Sequence, residues 1–322
     1  MEYIWPGVVA AQAIHAAARL RIADLLASGP RSVTDLAADA GADRSALERL
    51  LRALSTFEIF TVLPDGRFAN TPLSEQLRAD APESQRDAAM FLPAAFLWRP
   101  IGELFESVRT GEPAFERIFG QQFFDYLTSH AVDAAVFNSV MTQGIAMTAP
   151  AVIAAYDFSI FTRVIDIGGG QGALLKEILL ATPGLHGVLF DLPQAVARAT
   201  EVLAGDAAGR CEVVGGSFFD SVPEGGDLYT LKGVIHDWPD EDAVRILRNV
   251  RRSIPPAGTL LLIENIVDAS ASQVGVMELL MLVIGGRERT EADFRSLLAA
   301  AGFEIARIIP AGWSSLIECR PA

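Results

Sequence analysis

Val164-Ile165-Asp166-Ile167-Gly168-Gly169-Gly170-Gln171-Gly172 decides how this chain of 322 residues is read. Val164 to Ile167 have the apolar content of a buried strand, the glycines make a turn, and Ala173 to Ala181 follow as a helix. Without Cβ atoms the turn can bend tightly and bring main-chain N–H groups against a ligand. The alternation then continues. Gly187 to Asp191, Leu228 to His236 and Thr259 to Glu264 are further apolar strands, with helices at Gln194 to Leu203, Asp240 to Ser253 and Glu291 to Ala301. That order predicts an α/β fold with a mostly parallel sheet, helices on both faces and ligands at the C-terminal strand edge. Glu304 to Ile309 and Ser314 to Cys319 read as a closing hairpin, which makes the last strand antiparallel.

A nucleoside cofactor is the natural occupant of such a turn. The next strand ends in Asp191, at the offset where a carboxylate accepts the ribose hydroxyls of an adenosine. Gly168, Gly170 and Ala173 also satisfy the dinucleotide fingerprint, so NAD stays open as an alternative on these residues alone. Against it stand the acid two residues before the first glycine, the helical segment that precedes the turn and the chemistry that follows.

That chemistry centres on His236, which closes its strand and is followed by Asp237-Trp238-Pro239-Asp240 at the start of the next helix. The neighbouring strand ends in Glu264, and Glu288 follows Gly285-Gly286-Arg287. An imidazole flanked by two carboxylates reads as a base whose tautomer and charge are managed. Thr290 with Asp293 makes a capping-box start to the last helix, so Arg289 and Thr290 need only a structural reading.

Upstream, Trp5 to Ala27 reads as one long helix, Ser32 to Ala40 and Arg44 to Phe57 as two shorter ones, and Thr61 to Asn70 as a hairpin. The outline is that of a winged helix. Residues 1 to 90 carry nine Arg, no Lys and twelve Asp plus Glu, a net charge of −3, whereas a DNA reader needs a basic stripe. Dimerisation is the better use of this region. Met90 to Met147 reads as helical and rich in large side chains, most of them core. The expected domains are a dimerisation domain at 1–95, a helical connector lining the acceptor pocket at 96–150 and a cofactor-binding catalytic domain at 151–322.

With 51% hydrophobic residues the chain can bury a sizeable core, and its two cysteines, Cys211 and Cys319, are too few for a disulfide scaffold. A formal net charge of −14 opposes the field needed for nucleic acid or an anionic membrane surface. The N-terminus lacks the features of a signal peptide, and no uninterrupted apolar run approaches a membrane span. The expectation is a cytoplasmic protein without nucleic-acid or membrane partners, and no metal-ligand spacing is present.

Taken together, VIDIGGGQG, LFDLP, GGSFFD, LKGVIHDWPDEDA, LLLIENIV and GGRERTEADFRSLLAAAGF resemble the plant-caffeate-type family of class I S-adenosylmethionine-dependent O-methyltransferases, in its bacterial natural-product branch. The likeness runs from about Trp5 to the C-terminus. It implies a Rossmann-like methyltransferase sheet behind an N-terminal all-α, winged-helix dimerisation domain, a homodimer, and metal-free in-line methyl transfer to a hydroxyl of an aromatic or polyketide-like small molecule. It implies Gly168, Gly170, Asp191, Ser217, Phe218, Lys232 and Trp238 around the cofactor, and His236 as base with Glu264 and Glu288 in support, Glu264 being expected to orient the ring and Glu288 to assist. Phe137, Met141 and Asp237 are implied at the acceptor. Many members have Asp where this chain has Ser217, which hydrogen-bonds but holds no charge. The acceptor-contacting loop before Gly285 is short, so the acceptor of other members is not carried over to this chain. Three other readings stay open: a family member that uses the cofactor structurally in hydroxylation or decarboxylation, an NAD-dependent oxidoreductase, and a non-enzymatic winged-helix regulator.

Overall fold

In the computed structural model residues 4–82, 84–267 and 274–322 are described. The chain divides into two units, Met1–Arg99 and Pro100–Ala322. In the first, α1 (Ile4–Arg19) is followed by a short helix, Ile22–Leu25, so the single helix expected over Trp5 to Ala27 is broken. Arg21 takes a left-handed φ of 56° at the break, and the bend brings Ile22 and Leu26 into one core with Ala13 and Ala17. Next come α2 (Val33–Ala40), capped by the Ser32 side chain, and α3 (Arg44–Thr56), capped by Asp43. Strands β1 (Phe60–Val62) and β2 (Phe68–Asn70) close the expected hairpin.

The second unit opens with short helices whose aromatic residues pack on one another, Phe115 against Phe119, Phe123 and Tyr126. They lead into α4 (Ala131–Ala155), a helix of 25 residues. Among the described residues α4 alone is long and apolar enough to cross a membrane. Polar residues such as Asn138 and Gln143 interrupt it, and its Ala149 and Val152 are buried in the core of this unit.

The sheet follows: β3 (Arg163–Ile167), α5 (Ala173–Ala181), β4 (His186–Asp191), β5 (Cys211–Gly215), β6 (Leu228–Lys232), α6 (Asp240–Ser253), β7 (Thr259–Glu264), α7 (Val274–Ile284), α8 (Glu291–Ala301), β8 (Phe303–Ala311) and β9 (Ser314–Pro321). Its order is β5-β4-β3-β6-β7-β9-β8, with β9 antiparallel to both neighbours. Helices α6 and α8 bury Ile246, Leu247, Phe294 and Leu298 in one core with Ile165, Ile167 and Leu231. A second core joins α4 and α5 to Val164, Leu228, Leu261 and Ile263. Alternate strand residues thus serve two cores, as in a sheet covered on both sides.

In the second unit four elements differ from the sequence reading. Strand β6 stops at Lys232, because Gly233 turns left-handed (φ 58°), and His236 lies in a 3₁₀ turn, Ile235–Asp237, beyond the strand end. Strand β5 was not expected; it is a sheet edge whose Glu212, Val213 and Gly215 are exposed, so it lacks the apolar run of its neighbours. Helix α7 was not expected either. The helix read over Gln194 to Leu203 is a 3₁₀ turn, Val196–Arg198, continuing into Ala199–Val202.

Candidate active site

Parallel pairing of β3 with β4 and β6, and of β6 with β7, brings Ile167, Asp191, Lys232 and Glu264 to one edge of the sheet. Gly168 leaves β3 at φ 67°, its N–H donating to Phe190 O at 2.8 Å. A Cβ there would stand 2.7 Å from Val234 Cγ2, so neither the angle nor the space suits another residue. The N–H of Gly170 donates to Asp191 Oδ2 at 2.8 Å, and the N–H of Leu192 to Asp191 Oδ1 at 2.6 Å. Burial raises the Asp191 pKa and these two bonds oppose the rise. Each oxygen keeps a lone pair for a hydroxyl.

Asp166 lies beneath the turn, 1% exposed. Its Oδ1 accepts from Thr230 Oγ1 at 2.7 Å, and among the described residues its Oδ2 has no hydrogen-bond partner. Burial pushes its pKa up to about 7, with Asp191 adding to the rise and Thr230 and Lys232 opposing it. Lys232 itself is lowered by burial, against the pull of Glu264 and Asp166. The ring of Phe218 lies over the turn, its edge 3.6 Å from where a Gly168 Cβ would be. Ser217 turns inward to its own loop, Oγ accepting from the Phe219 N–H at 3.2 Å.

On the other half of the edge four ionisable groups meet. His236, with 19% of its side chain exposed, has Nδ1 3.0 Å from Glu288 Oε1 and Nε2 3.4 Å from Asp237 Oδ1. Glu264 does not bond the ring: its Oε1 accepts from the N–H groups of Val234 at 3.1 Å and Ile235 at 2.8 Å. The sequence reading has Glu264 orienting the ring and Glu288 assisting; in the structure Glu288 is the acid that bonds the ring and Glu264 bonds the turn. Glu264 ends its strand level with the turn that follows β6, so it meets that turn's main chain, whereas the loop carrying Glu288 returns alongside the imidazole.

Burial alone would lower the His236 pKa, but Asp237, Glu264 and Glu288 together raise it to about 10. Asp237 rises to about 7, chiefly through burial and then through the other two acids, with His236 opposing. Glu264 is raised by burial. The cluster therefore holds protons at neutral pH that isolated groups would release.

Trp238 sits in an aromatic wall, stacked on Phe124 at 5.4 Å and meeting Phe219 edge-on at 4.7 Å and Phe218 at 5.9 Å. Phe137, on α4, packs edge-on against Phe123 and Phe124, and Met141 lies one turn further along the same helix, 40% exposed. The structure thus connects Phe137 to Trp238 through Phe124, which the sequence reading treated as core. Glu278 is a further acid it did not single out, and Asp166 entered it only as evidence against NAD and not as a site residue. The signals were present: Asp166 precedes the glycines by two residues, and Glu278 is the one charge in the apolar run of α7.

Residues 101–304 match the family described as the O-methyltransferase domain, and residues 3–80 match the O-methyltransferase dimerisation domain. The chain belongs to the O-methyltransferase family. It is 41% identical to the phenazine O-methyltransferase of Lysobacter antibioticus, over 96% of this chain and 92% of that one. It is 39% identical to the 8-amino-8-demethylriboflavin N,N-dimethyltransferase of Streptomyces davaonensis, over 95% and 90%. Among solved structures, an O-methyltransferase from neocarzinostatin biosynthesis in complex with S-adenosylmethionine and 2-hydroxy-5-methyl naphthoic acid superposes with a TM-score of 0.88 at 34% identity, over 97% of this chain and 96% of that one.

This methyltransferase therefore uses S-adenosylmethionine, and the readings as an NAD enzyme or a non-enzymatic regulator fall away. The residues present fit that cofactor. Asp166 Oδ2 is a buried carboxylate oxygen without a partner, a group that a cationic ligand satisfies. Asp191 presents both oxygens beside a turn too tight for side chains.

Proposed function

We propose that the enzyme methylates a hydroxyl, phenolic in character, of an aromatic or polyketide-like small molecule, with His236 as general base. The observation that carries this reading is the imidazole held between Glu288 and Asp237 at the sheet edge, beside the glycine turn. In this reading the turn from Gly168 to Gly170, Asp191, Phe218, Lys232 and Asp166 hold the cofactor, and Ser217 shapes its own loop instead of carrying charge to it. S-adenosylmethionine supplies a methyl group already activated by its sulfonium. The protein has to orient the acceptor oxygen and take its proton.

A phenol has a pKa near 10 and free imidazole about 6.5, so proton transfer to an ordinary histidine costs roughly 4 to 5 kcal/mol. With His236 at about 10 the two groups are matched, and the cost moves from the proton transfer itself to freeing the imidazole of the proton it holds at neutral pH. The match has a consequence for pH. At neutrality the resting imidazole is protonated, so the reactive state contains one proton fewer, and kcat/KM climbs with pH through the alkaline range. Glu288 fixes which nitrogen faces the protein, Glu264 holds the turn that carries the ring, and Asp237 is placed to accept from the incoming hydroxyl. Phe137, Met141 and the Phe124–Trp238 pair supply an apolar wall for a flat acceptor.

His236→Ala tests the reading. Turnover should fall about 10² to 10⁴-fold while calorimetry shows S-adenosylhomocysteine binding unchanged. Acceptors acidic enough to be ionised at assay pH should recover most of the loss, since they have no proton to give. A variant that keeps the parental rate with a weakly acidic phenol would return His236 to a structural role. A second reading, methyl transfer to nitrogen, is favoured by the N,N-dimethyltransferase among the relatives. Comparing an aryl amine with its phenol in the same panel separates the two.

The assembly we propose is a homodimer through the first helix and its surrounding unit. The match to a dimerisation domain supports it, as do Val8 and Val9, which expose apolar surface on α1. Light scattering should give a dimer for the full chain and a monomer once residues 1–30 are removed. A truncated protein that stays dimeric contradicts the first helix as the interface.

A further inference from the structure

Helix α7 carries a single charged side chain, the half-buried Glu278, in an otherwise apolar sequence. The helix ends where the N–H groups of Gly285 and Gly286 both donate to Met281 O, at 2.9 and 2.8 Å, and the chain then doubles back. It returns hard against the turn that carries the base: a Cβ at Gly286 would stand 2.5 Å from His236 O, and the N–H of Arg287 donates to that oxygen at 2.6 Å. One residue on, the N–H of Glu288 donates to Glu278 Oε2 at 2.8 Å. Beyond it, the buried Arg289 guanidinium donates to Ile235 O and Trp238 O, both at 2.7 Å.

The returning segment is therefore stitched to the base turn through Arg287 and Arg289, and to α7 through Glu288. The Glu288 side chain is fully buried, with one oxygen on His236 Nδ1 and the other, Oε2, without a hydrogen-bond partner among the described residues. Among the described residues no second side-chain hydrogen bond holds that carboxylate, so its main chain sets its aim on the ring. We propose that Glu278 is a positioning residue of the methyl-transfer site: its carboxylate fixes the Glu288 main chain and so holds Glu288 Oε1 on His236 Nδ1. This rests on the reading of His236 and Glu288 as base and partner. An oxygen acceptor at the right reach is all that the geometry asks of residue 278, so glutamine serves there. Leucine leaves a buried N–H unsatisfied, and the Glu288 peptide turns to find another acceptor.

The test is a double-mutant cycle, read by steady-state kinetics from about pH 6 to 10 with S-adenosylmethionine and a phenolic acceptor that the parent turns over. Glu278→Gln should stay within about two-fold of the parent, while Glu278→Leu should lose about ten-fold in kcat, with KM for S-adenosylmethionine unchanged and the alkaline rise moved to lower pH. In a Glu288→Gln background the leucine should cost nothing further. Glu278→Asn, polar but one methylene too short, should reproduce the leucine effect and stands in for it if the leucine variant does not fold. Parental kcat and pH profile in Glu278→Leu or Glu278→Asn overturn the proposal, as does an equal loss in the Glu288→Gln background. If Glu288→Gln is itself indistinguishable from the parent, the reading of the base falls and the proposal with it. An impaired Glu288→Gln beside a parental Glu278 variant removes the positioning role alone.

Discussion

The two halves of the sheet edge are built on different principles. On the cofactor half, Asp191 meets the N–H groups of Gly170 and Leu192, so its geometry is set by main chain within or next to one glycine turn. On the base half, carboxylates from three separate segments converge on one imidazole and its turn, and their charges are felt together. The first arrangement makes a cradle shaped by main chain, in which the charges of Asp166, Asp191 and Lys232 act on one another behind the larger effect of burial. The second makes a cluster whose parts share protons, so that changing one acid changes the titration of the rest. For a reaction that needs one ligand held and one proton moved, that division places rigidity and ionisation where each is used.

Substitutions should separate the halves cleanly. The largest effect is expected on the base side, where His236→Ala loses about 10² to 10⁴-fold in turnover and leaves S-adenosylhomocysteine affinity alone. Asp191→Ala should do the reverse. Losing a charged hydrogen bond costs about 1.5 to 3 kcal/mol, so calorimetry should show binding weakened at least ten-fold, with kcat largely kept at saturating cofactor. If both variants lose affinity and turnover together, the halves are coupled and the comparison fails.

A smaller and more specific effect is expected from neutralising an acid. Against the lowering by burial, the Asp237 charge is the largest single cause raising the His236 pKa and the Glu264 charge the next, while Glu288 acts through both a hydrogen bond and its charge. The sign follows directly: a nearby negative charge favours imidazolium, so its removal lowers the pKa and moves the rise of kcat/KM toward neutral pH. Asp237→Asn should move that rise further than Glu264→Gln. On the cofactor half Asp191→Asn should leave the position of the rise unchanged. A rise that stays in place in Asp237→Asn would mean that it reports some other group.

The same contrast explains what could be read from the sequence. The glycine turn, Asp191 and helices α5, α6 and α8 were legible because contiguous residues make them: a strand, a turn and a helix in immediate succession, or the Thr290–Asp293 capping box. Strand β5 was not, because an edge strand with exposed Glu212 and Val213 lacks the buried run by which its neighbours were found. The acids of the base half were found as a set, yet Glu264 and Glu288 were given each other's contacts. The sequence places both at the same edge, but the end of β6 at Gly233 and the reversal after α7 decide which one meets the ring. Phe124 was legible only as an aromatic residue in a helical segment, since its stacking on Trp238 joins residues more than a hundred positions apart.

The central claim is that the acids around His236 turn an ordinary imidazole into a base matched to a phenol. With only four histidines in the chain, the His236 ring can be assigned by NMR from the resonance lost in His236→Ala. Its titration in the full-length enzyme is the most direct measurement. The account predicts a midpoint near 10, falling toward the ordinary histidine range in Glu288→Gln and Asp237→Asn. A midpoint at or below about 6.5, the same in both variants, would contradict it.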